Sequence, residues 1–345
     1  MKIAYIVPKL ANKAPIMIVQ ELVKQMTKHN HHCTVYYFDE GGTLEFPCET
    51  IHIPSFYAKI QFKQYDVVHT HGFRPDLYIY YHKPPKDNTL YISTIHSYIL
   101  PDLSSQYNKF IAHTVGRIWL HCLKRQDKIV TLSKNATHYY QKWFSPKKLY
   151  WVYNTREITD LSPLPDTKIK NLSDFKKDSL LIGVNAMLSP IKGIDQLIKC
   201  LPYIPDYKLY IIGDGNIKSQ LIQLSHDLGV ADRCYFAGYQ ENAYKYLPYY
   251  DIYAMPSRNE GFSLAVLEAA IFKKNIICSD IPIFRELYSE KEVSFFEVDN
   301  LESLIKSIKE ISTSNNKGVQ VYQKYISSYS PEHFYTNYLK IYQNL

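Results

Sequence analysis

Residues 255–270 read Met255-Pro256-Ser257-Arg258-Asn259-Glu260-Gly261-Phe262-Ser263-Leu264-Ala265-Val266-Leu267-Glu268-Ala269-Ala270. The run Asp251–Met255 before this stretch predicts a strand, and Phe262–Phe272 predicts a helix. Gly261, between them, lets the backbone approach a ligand closely. The free amides from Gly261 through Phe262 and Ser263 to Leu264 then form a helix start, where donors and dipole together stabilise an anion such as a diphosphate. The helix is apolar nearly all round and is expected to be buried. Glu268 within it therefore needs a polar partner, because an unpaired buried carboxylate is costly. A ribose diol is one such partner and a structural Lys or Arg is another. Glu260, on the loop, is placed either to accept from sugar hydroxyls or to complement the helix start.

Upstream, the pattern is strand alternating with helix. Leu180–Val184, Lys208–Ile212, Cys234–Phe236 and Asn275–Cys278 read as further strands, and Gly193–Leu201 and Ile217–Leu228 as helices. The N-terminal half repeats the scheme. Lys2–Val7, Cys33–Phe38, Asp66–His71, Leu90–His96, Lys128–Leu132 and Leu149–Tyr153 read as strands, with Ile16–Thr27 as an amphipathic helix. Such alternation argues for α/β architecture with parallel sheets covered on both faces. At 345 residues the chain exceeds the roughly 250–300 at which a single core stops growing, so two domains are expected. Their boundaries are set at 1–160 and 179–328. The polar, Pro-containing segment 161–178 is the linker. Residues 329–345 form a C-terminal helix, with the first domain as one place for it to pack.

Composition narrows the class. Hydrophobic residues make up 46% and charged residues 21%, as in a soluble globular chain. No apolar run reaches the length of a membrane span, and Pro8 and Lys9 interrupt the apolar start, which reads as a buried strand rather than a leader. The six cysteines are scattered without metal or disulfide spacing, and a cytoplasmic setting is expected. The net charge of +7 is uneven: residues 1–155 carry 19 Lys and Arg against 10 acids. The stretch Tyr107–Arg125 mixes basic and large apolar residues in a helical pattern. A packed helix with a solvated basic edge accounts for it, and so does contact with an anionic membrane surface. No nucleic-acid motif is present.

The order Pro-Ser, two residues, Glu-Gly-Phe, then Glu-Ala eight positions after the first Glu resembles glycosyltransferase family 4. The likeness continues in Gly183-Val184-Asn185-Ala186-Met187-Leu188-Ser189-Pro190-Ile191-Lys192-Gly193, Ile211-Ile212-Gly213-Asp214-Gly215, Phe236-Ala237-Gly238, Ser279-Asp280-Ile281-Pro282 and Glu286. The resemblance implies a GT-B fold, two Rossmann-like domains facing across a deep cleft. It also implies a retaining, metal-independent transferase that moves a hexose-type sugar from a nucleotide diphosphate, with UDP favoured. The sugar nucleotide is a co-substrate, and no cofactor or metal is expected; the absence of an Asp-x-Asp triad agrees with this. The acceptor is expected to be a glycan or lipid-linked intermediate of surface polysaccharide at the inner face of the membrane. By this resemblance Lys192 contacts the donor phosphates, Glu260 orients the sugar and Glu268 holds the ribose. Gly213, Tyr239, Gly261, Phe262, Ser263 and Leu264 join the donor site. The Thr94-Ile95-His96 run puts His96 near the transferred sugar. The family's usual Arg, five or six positions before Lys192, is replaced by Met187 and Ala186, and Arg258 is a possible substitute. The run His69–Asp76 is expected to line the cleft. Two other readings stay open: a sugar-nucleotide epimerase on a similar fold, and a non-catalytic nucleotide-sugar binder.

Overall fold

The computed structural model describes residues 1–86, 88–107, 109–313 and 316–343. The chain divides into two compact units, Met1–Glu157 with Tyr329–Leu345, and Ile158–Ser328.

The first unit is built on β1 (Lys2–Lys9), β2 (His32–Asp39), β3 (Glu49–His52), β4 (Val67–His71), β5 (Leu90–Ile95), β6 (Lys128–Thr131) and β7 (Leu149–Trp151). They lie in the order β3-β2-β1-β4-β5-β6-β7, and every pairing is parallel. Parallel strands need covered faces, which is why Ile3–Val7 of β1 is an unbroken apolar run; β4 is also wholly buried but ends on His69, Thr70 and His71. The helix Ala14–Lys28 starts with Pro15 in its first turn and buries Ile16, Val19, Leu22, Val23 and Met26. The helix Pro331–Tyr342 packs on it and buries Phe334, Tyr338 and Tyr342. His29 stacks on Tyr335 across that contact, with ring centroids 3.8 Å apart.

The second unit holds β8 (Leu180–Asn185), β9 (Tyr207–Ile212), β10 (Cys234–Gly238), β11 (Ile252–Met255), β12 (Asn275–Ser279) and β13 (Ser294–Phe296), ordered β10-β9-β8-β11-β12-β13, again all parallel. Its core gathers Ile182, Val184, Leu209, Ile211, Ala254 and Ile277 from the strands, with Leu197, Ile198, Leu304 and Ile308 from the covering helices. In each sheet the strand order reverses direction, between β1 and β4 and between β8 and β11. Ligands of doubly wound sheets bind at the strand carboxyl ends beside such a reversal.

Three features depart from the sequence reading. The segment taken as linker contains a helix, Asp166–Lys176, whose Leu172 is buried. The edge strands β3 and β13 are too short, four and three residues, to carry a period-2 signal. Helix Leu264–Ile271 is buried on one side only. Val266, Leu267, Ala269 and Ala270 face the core, while Ala265 and Glu268 are half-exposed. Its composition hid the second face, because apart from Glu268 the residues there are small or apolar.

Candidate functional site

The carboxyl ends of β8, β9 and β11 carry three loops that hold one another. After β8, the chain passes Asn185 and Ala186 to a single 3-10 turn, Pro190–Lys192, closed by Gly193 at φ 64°. A Cβ on Gly193 would lie 2.1 Å from the Pro256 carbonyl oxygen, so only glycine fits between the β8 and β11 loops. Gly213, after β9, is similarly constrained: at φ 137°, its Cβ would lie 1.8 Å from the Ala186 oxygen. Gln196 fastens the set from below, donating to the Pro256 carbonyl at 2.8 Å and accepting from the Asp299 amide at 2.7 Å.

This framework brings Lys192 and Glu260 together. Lys192 Nζ lies 2.5 Å from Glu260 Oε1, and Ser257 donates to the same oxygen at 2.8 Å. The Ser257 carbonyl in turn accepts from Ser279 Oγ at 2.5 Å. The Glu260 side chain is only 9% exposed. A carboxylate with that little water needs its cation and hydroxyl, which hold it in one rotamer.

Arg258 is held by carboxylates of its own unit. Its Nη1 and Nη2 each donate to Asp195 at 2.9 Å, Nε and Nη2 reach Asp299, and Nη1 also donates to the Pro190 carbonyl. These two carboxylates hold the guanidinium pKa above its ordinary value. Arg258 thus clamps the β8 loop, and a guanidinium shared between two acids offers an anion less positive field than an unpaired one.

From Gly261 the chain runs through Phe262 and Ser263 into helix Leu264–Ile271. Ser263 occupies the N-cap position without capping by its side chain. The first-turn amides of such a helix have no acceptor within it, which is the general basis of anion binding at a helix start. One turn further, Ala265 and Glu268 line a cavity of about 410 Å³, together with Asn185, Ala186, Met187, Gly213, Asp214, Tyr239 and Gln240. Its size suits a nucleoside-sized ligand. Tyr239 is 71% exposed there, and Met187, at the position of the missing Arg, is 63% exposed. The expected burial of Glu268 is corrected to a half-exposed place in this wall. Sequence reading passed over Asn185, whose side chain joins Tyr250 OH and the Ala243 carbonyl at 3.1 Å each and so secures the loop at the cavity's edge. Its signal was its place at a strand's end.

In the first unit, His69, His71 and Asp76 are buried rather than lining a surface; only Arg74 of that run is exposed, pairing with Asp39 at 2.5 Å. Asp76 accepts from Thr70 at 2.5 Å and from Trp119 Nε1 at 2.7 Å, and burial pushes its carboxyl up to about 6. His69 bonds Tyr342 OH at 2.7 Å and Thr94 Oγ1 at 2.8 Å. His71 Nδ1 lies 2.9 Å from His96 Nε2. Burial holds His69 down at about 3 and His96 at about 4, with His71 also well below its usual range.

These shifts predict acid lability in the first unit. The unfolded chain protonates its histidines near pH 6.5, whereas the native chain resists until about pH 4 or lower. Stability from the three groups is thus complete above pH 6.5 and is lost as pH falls below it. Asp76 opposes them, because its raised value favours the native state as pH falls through 6. Three groups outweigh one, and a net loss of about 3 kcal/mol between pH 6.5 and 5 is expected. All three tryptophans, Trp119, Trp143 and Trp151, belong to this unit, so their fluorescence reads its melting directly. A midpoint unchanged from pH 7 to 5 would contradict the prediction.

Residues 166–327 match the family model for "Glycosyl transferases group 1", and residues 17–158 match that for "Glycosyltransferase Family 4". The chain is 32% identical over 318 residues to the O-antigen biosynthesis glycosyltransferase WclY of Escherichia coli, covering 89% of this chain and 88% of that one. It is 28% identical over 218 residues to an N-acetylgalactosaminyltransferase acting on a diphospho-undecaprenol glycan in Campylobacter jejuni, covering 61% and 56%. Among solved structures, Anabaena Alr3699/HepE in complex with UDP-glucose superposes with a TM-score of 0.80 at 15% identity, covering 100% of both chains. Sucrose-phosphate synthase of Thermosynechococcus elongatus gives 0.79 at 15%, covering 100% and 99%.

Proposed function

Since this chain belongs to glycosyltransferase family 4 and has the GT-B fold, we propose that it is a retaining hexosyltransferase using a UDP-sugar, with a lipid-linked O-antigen or other surface-polysaccharide intermediate as acceptor. The observation that carries this reading is the contact of Lys192 with Glu260 beside the start of the helix whose Glu268 lines the cavity. The donor diphosphate rests on the amides from Gly261 to Leu264 and on Lys192. These meet the charge that develops as the nucleotide departs, without a metal. Glu268 accepts from the ribose hydroxyls and Tyr239 covers the base. Glu260 and His96 bond hydroxyls of the sugar. The anomeric bond opens through an oxocarbenium-like state, and the acceptor oxygen enters on the face the leaving group vacates. UDP-bound and UDP-glucose-bound relatives of the same fold support the choice of base, and the Escherichia coli and Campylobacter relatives support the acceptor class.

The test is product analysis. The protein is incubated with a panel of UDP-hexoses and membrane extract carrying lipid-linked glycan, and both UDP release and the anomeric configuration of the elongated glycan are followed. A retained α-linkage is expected. Conversion of the sugar nucleotide with no acceptor would instead identify an epimerase, and donor binding with no turnover a sensor.

An anionic membrane contact forms part of the proposal. On helix Lys109–Leu123, Phe110 is 81% exposed, and Ile111, Ile118 and Arg117 are exposed with it. No acidic residue occurs between Asp102 and Asp127. An apolar, basic, acid-free face complements an anionic lipid surface. Among the described residues no helix is long and apolar enough to cross a membrane. Sedimentation with vesicles containing anionic lipid is expected to weaken about tenfold in a Phe110→Ser, Arg117→Glu double variant and to fall with salt. Equal sedimentation of wild type and variant would rule this face out.

A further inference from the structure

The H-x-H of β4 and the T-x-H at the end of β5 come together through sheet register. His71 pairs with Thr94 in the parallel ladder, and His69 with Ile92. Alternate residues share a face, so His69 and His71 fall on one side, and His96, two residues past Thr94, falls beside His71. The rings of His69 and His71 lie 4.2 Å apart between centroids. His69 is fixed at both nitrogens, by Tyr342 of the C-terminal helix and by Thr94, which also meets Tyr338 OH at 3.1 Å. His71 rests against that fixed ring with one nitrogen engaged and the other, Nε2, buried without a partner.

Two imidazoles facing each other nitrogen to nitrogen share one hydrogen when both are neutral, as burial requires of this pair. Either His71 Nδ1 donates to His96 Nε2, or His96 Nε2 donates to His71 Nδ1. The second arrangement puts the His71 hydrogen-bonding burden on Nε2, where an N–H would be buried with no acceptor. Orphaned buried N–H groups are the rarer kind. The first arrangement leaves a bare Nε2 in an apolar place and puts the His96 hydrogen on Nδ1.

We propose that His71 is a positioning residue: by donating from Nδ1 to His96 Nε2, it holds His96 in the Nδ1–H form and so makes it a hydrogen-bond donor to an oxygen of the reacting sugar. This rests on the placement of His96 near the sugar in the function proposed above. A donor there bonds a hydroxyl or ring-side oxygen of the substrate and cannot accept a proton through Nδ1. His96 therefore orients and polarises and does not act as a general base from that nitrogen. The C-terminal helix enters the arrangement through Tyr342 and Tyr338, which anchor the ring that His71 leans on.

The test uses the full-length protein labelled with nitrogen-15 at histidine. Long-range proton–nitrogen spectra distinguish the two neutral tautomers, and the His96 signals are identified by their loss in His96→Gln. In wild type His96 is expected as Nδ1–H. In His71→Leu it should revert to mainly Nε2–H, the form an unconstrained imidazole favours, with kcat lowered about tenfold or more and the donor KM changed less than about threefold. His71→Asn, whose amide nitrogen stands near the Nδ1 position, should restore both the tautomer and most of kcat. Melting of each variant by tryptophan fluorescence separates misfolding from misorientation. A His96 that carries its hydrogen on Nε2 in wild type, or a tautomer unaltered in both variants, overturns the proposal. If His96→Gln turns over like wild type, the consequence assigned to the tautomer is overturned, while the transferase reading still stands or falls on Lys192 and Glu268.

Discussion

Lys192→Met lowers kcat/KM for sugar transfer by about 10²–10³-fold, the scale of removing one preorganised donor from a developing anion. The reasoning starts from the cost of the leaving group. As the glycosidic bond opens, negative charge collects on the diphosphate. The helix amides contribute partial charges, and Lys192 contributes a full one. The neighbouring guanidinium cannot replace it, because Arg258 already bonds Asp195, Asp299 and the Pro190 carbonyl. Neither can the loop after β8, where Ala186 and Met187 offer no cation. A second loss adds to the first. Without the ammonium, Glu260 Oε1 keeps only the Ser257 hydroxyl, so its rotamer loosens and its grip on the sugar with it. Methionine keeps the stem's volume but leaves a nearly buried carboxylate without its cation, so the melting temperature is expected to fall by roughly 2–8 °C, or about 1–2 kcal/mol in a domain of this size. Lys192→Arg, which keeps the charge but not the reach, should fall between the two. Steady-state kinetics with saturating acceptor measure the effect, and activity of Lys192→Met within about fivefold of wild type would remove Lys192 from the phosphate site.

How far such a site can be read in advance depends on how local its signal is. The strands β1, β8 and β11 were legible because parallel strands buried on both faces are near-continuous apolar runs, and β4 because Val67 and Val68 lead a short run with a polar end. The turn at Gly261 was legible because a glycine followed by an apolar helix has few other uses. That Lys192 and Glu260 meet at one place was expected only from the order of motifs, since 68 residues separate them, and their direct contact was not read in the sequence. What stayed hidden was long-range partner choice. Arg258 carries the same charge as Lys192, and only the positions of Asp195 and Asp299 show that it meets two carboxylates where Lys192 meets one. Glu268 was expected in the core because its neighbours are apolar. An eight-residue helix that starts beyond the carboxyl end of β11 nevertheless leaves one face to the cavity, and alanine is compatible with either side. The helix in the segment read as linker was missed for the opposite reason. Asp166–Lys176 is a polar helix with one buried anchor, Leu172, and so lacks the apolar stripe that marks a helix.

Glu268→Ala abolishes most of the stabilisation that UDP confers. A carboxylate accepting from both ribose hydroxyls makes two charge-assisted bonds, together about 3 kcal/mol, or a loss of about 10²-fold in affinity. At a UDP concentration of about 100 times the wild-type Kd, mass action stabilises the native state by about 2.7 kcal/mol, which falls to about 0.4 kcal/mol when Kd rises a hundredfold. In a domain of 150–250 residues this is a melting shift of roughly 5–11 °C for wild type and about 1 °C for the variant. Loss of binding alone would not show which group Glu268 touches, since any damage to the cavity wall weakens UDP. The ligand must therefore be altered as well. If the carboxylate grips the pentose, 2′-deoxy-UDP should bind wild type more weakly than UDP does, whereas the alanine variant should scarcely tell the two apart. The effects of the two deletions are then not additive, which is the signature of a direct contact. If Glu268→Ala discriminates against the deoxy nucleotide as strongly as wild type, the ribose lies elsewhere. Glu268 would then be a structural acid in the wall of the cavity, and the orientation assigned to the donor would have to be reversed.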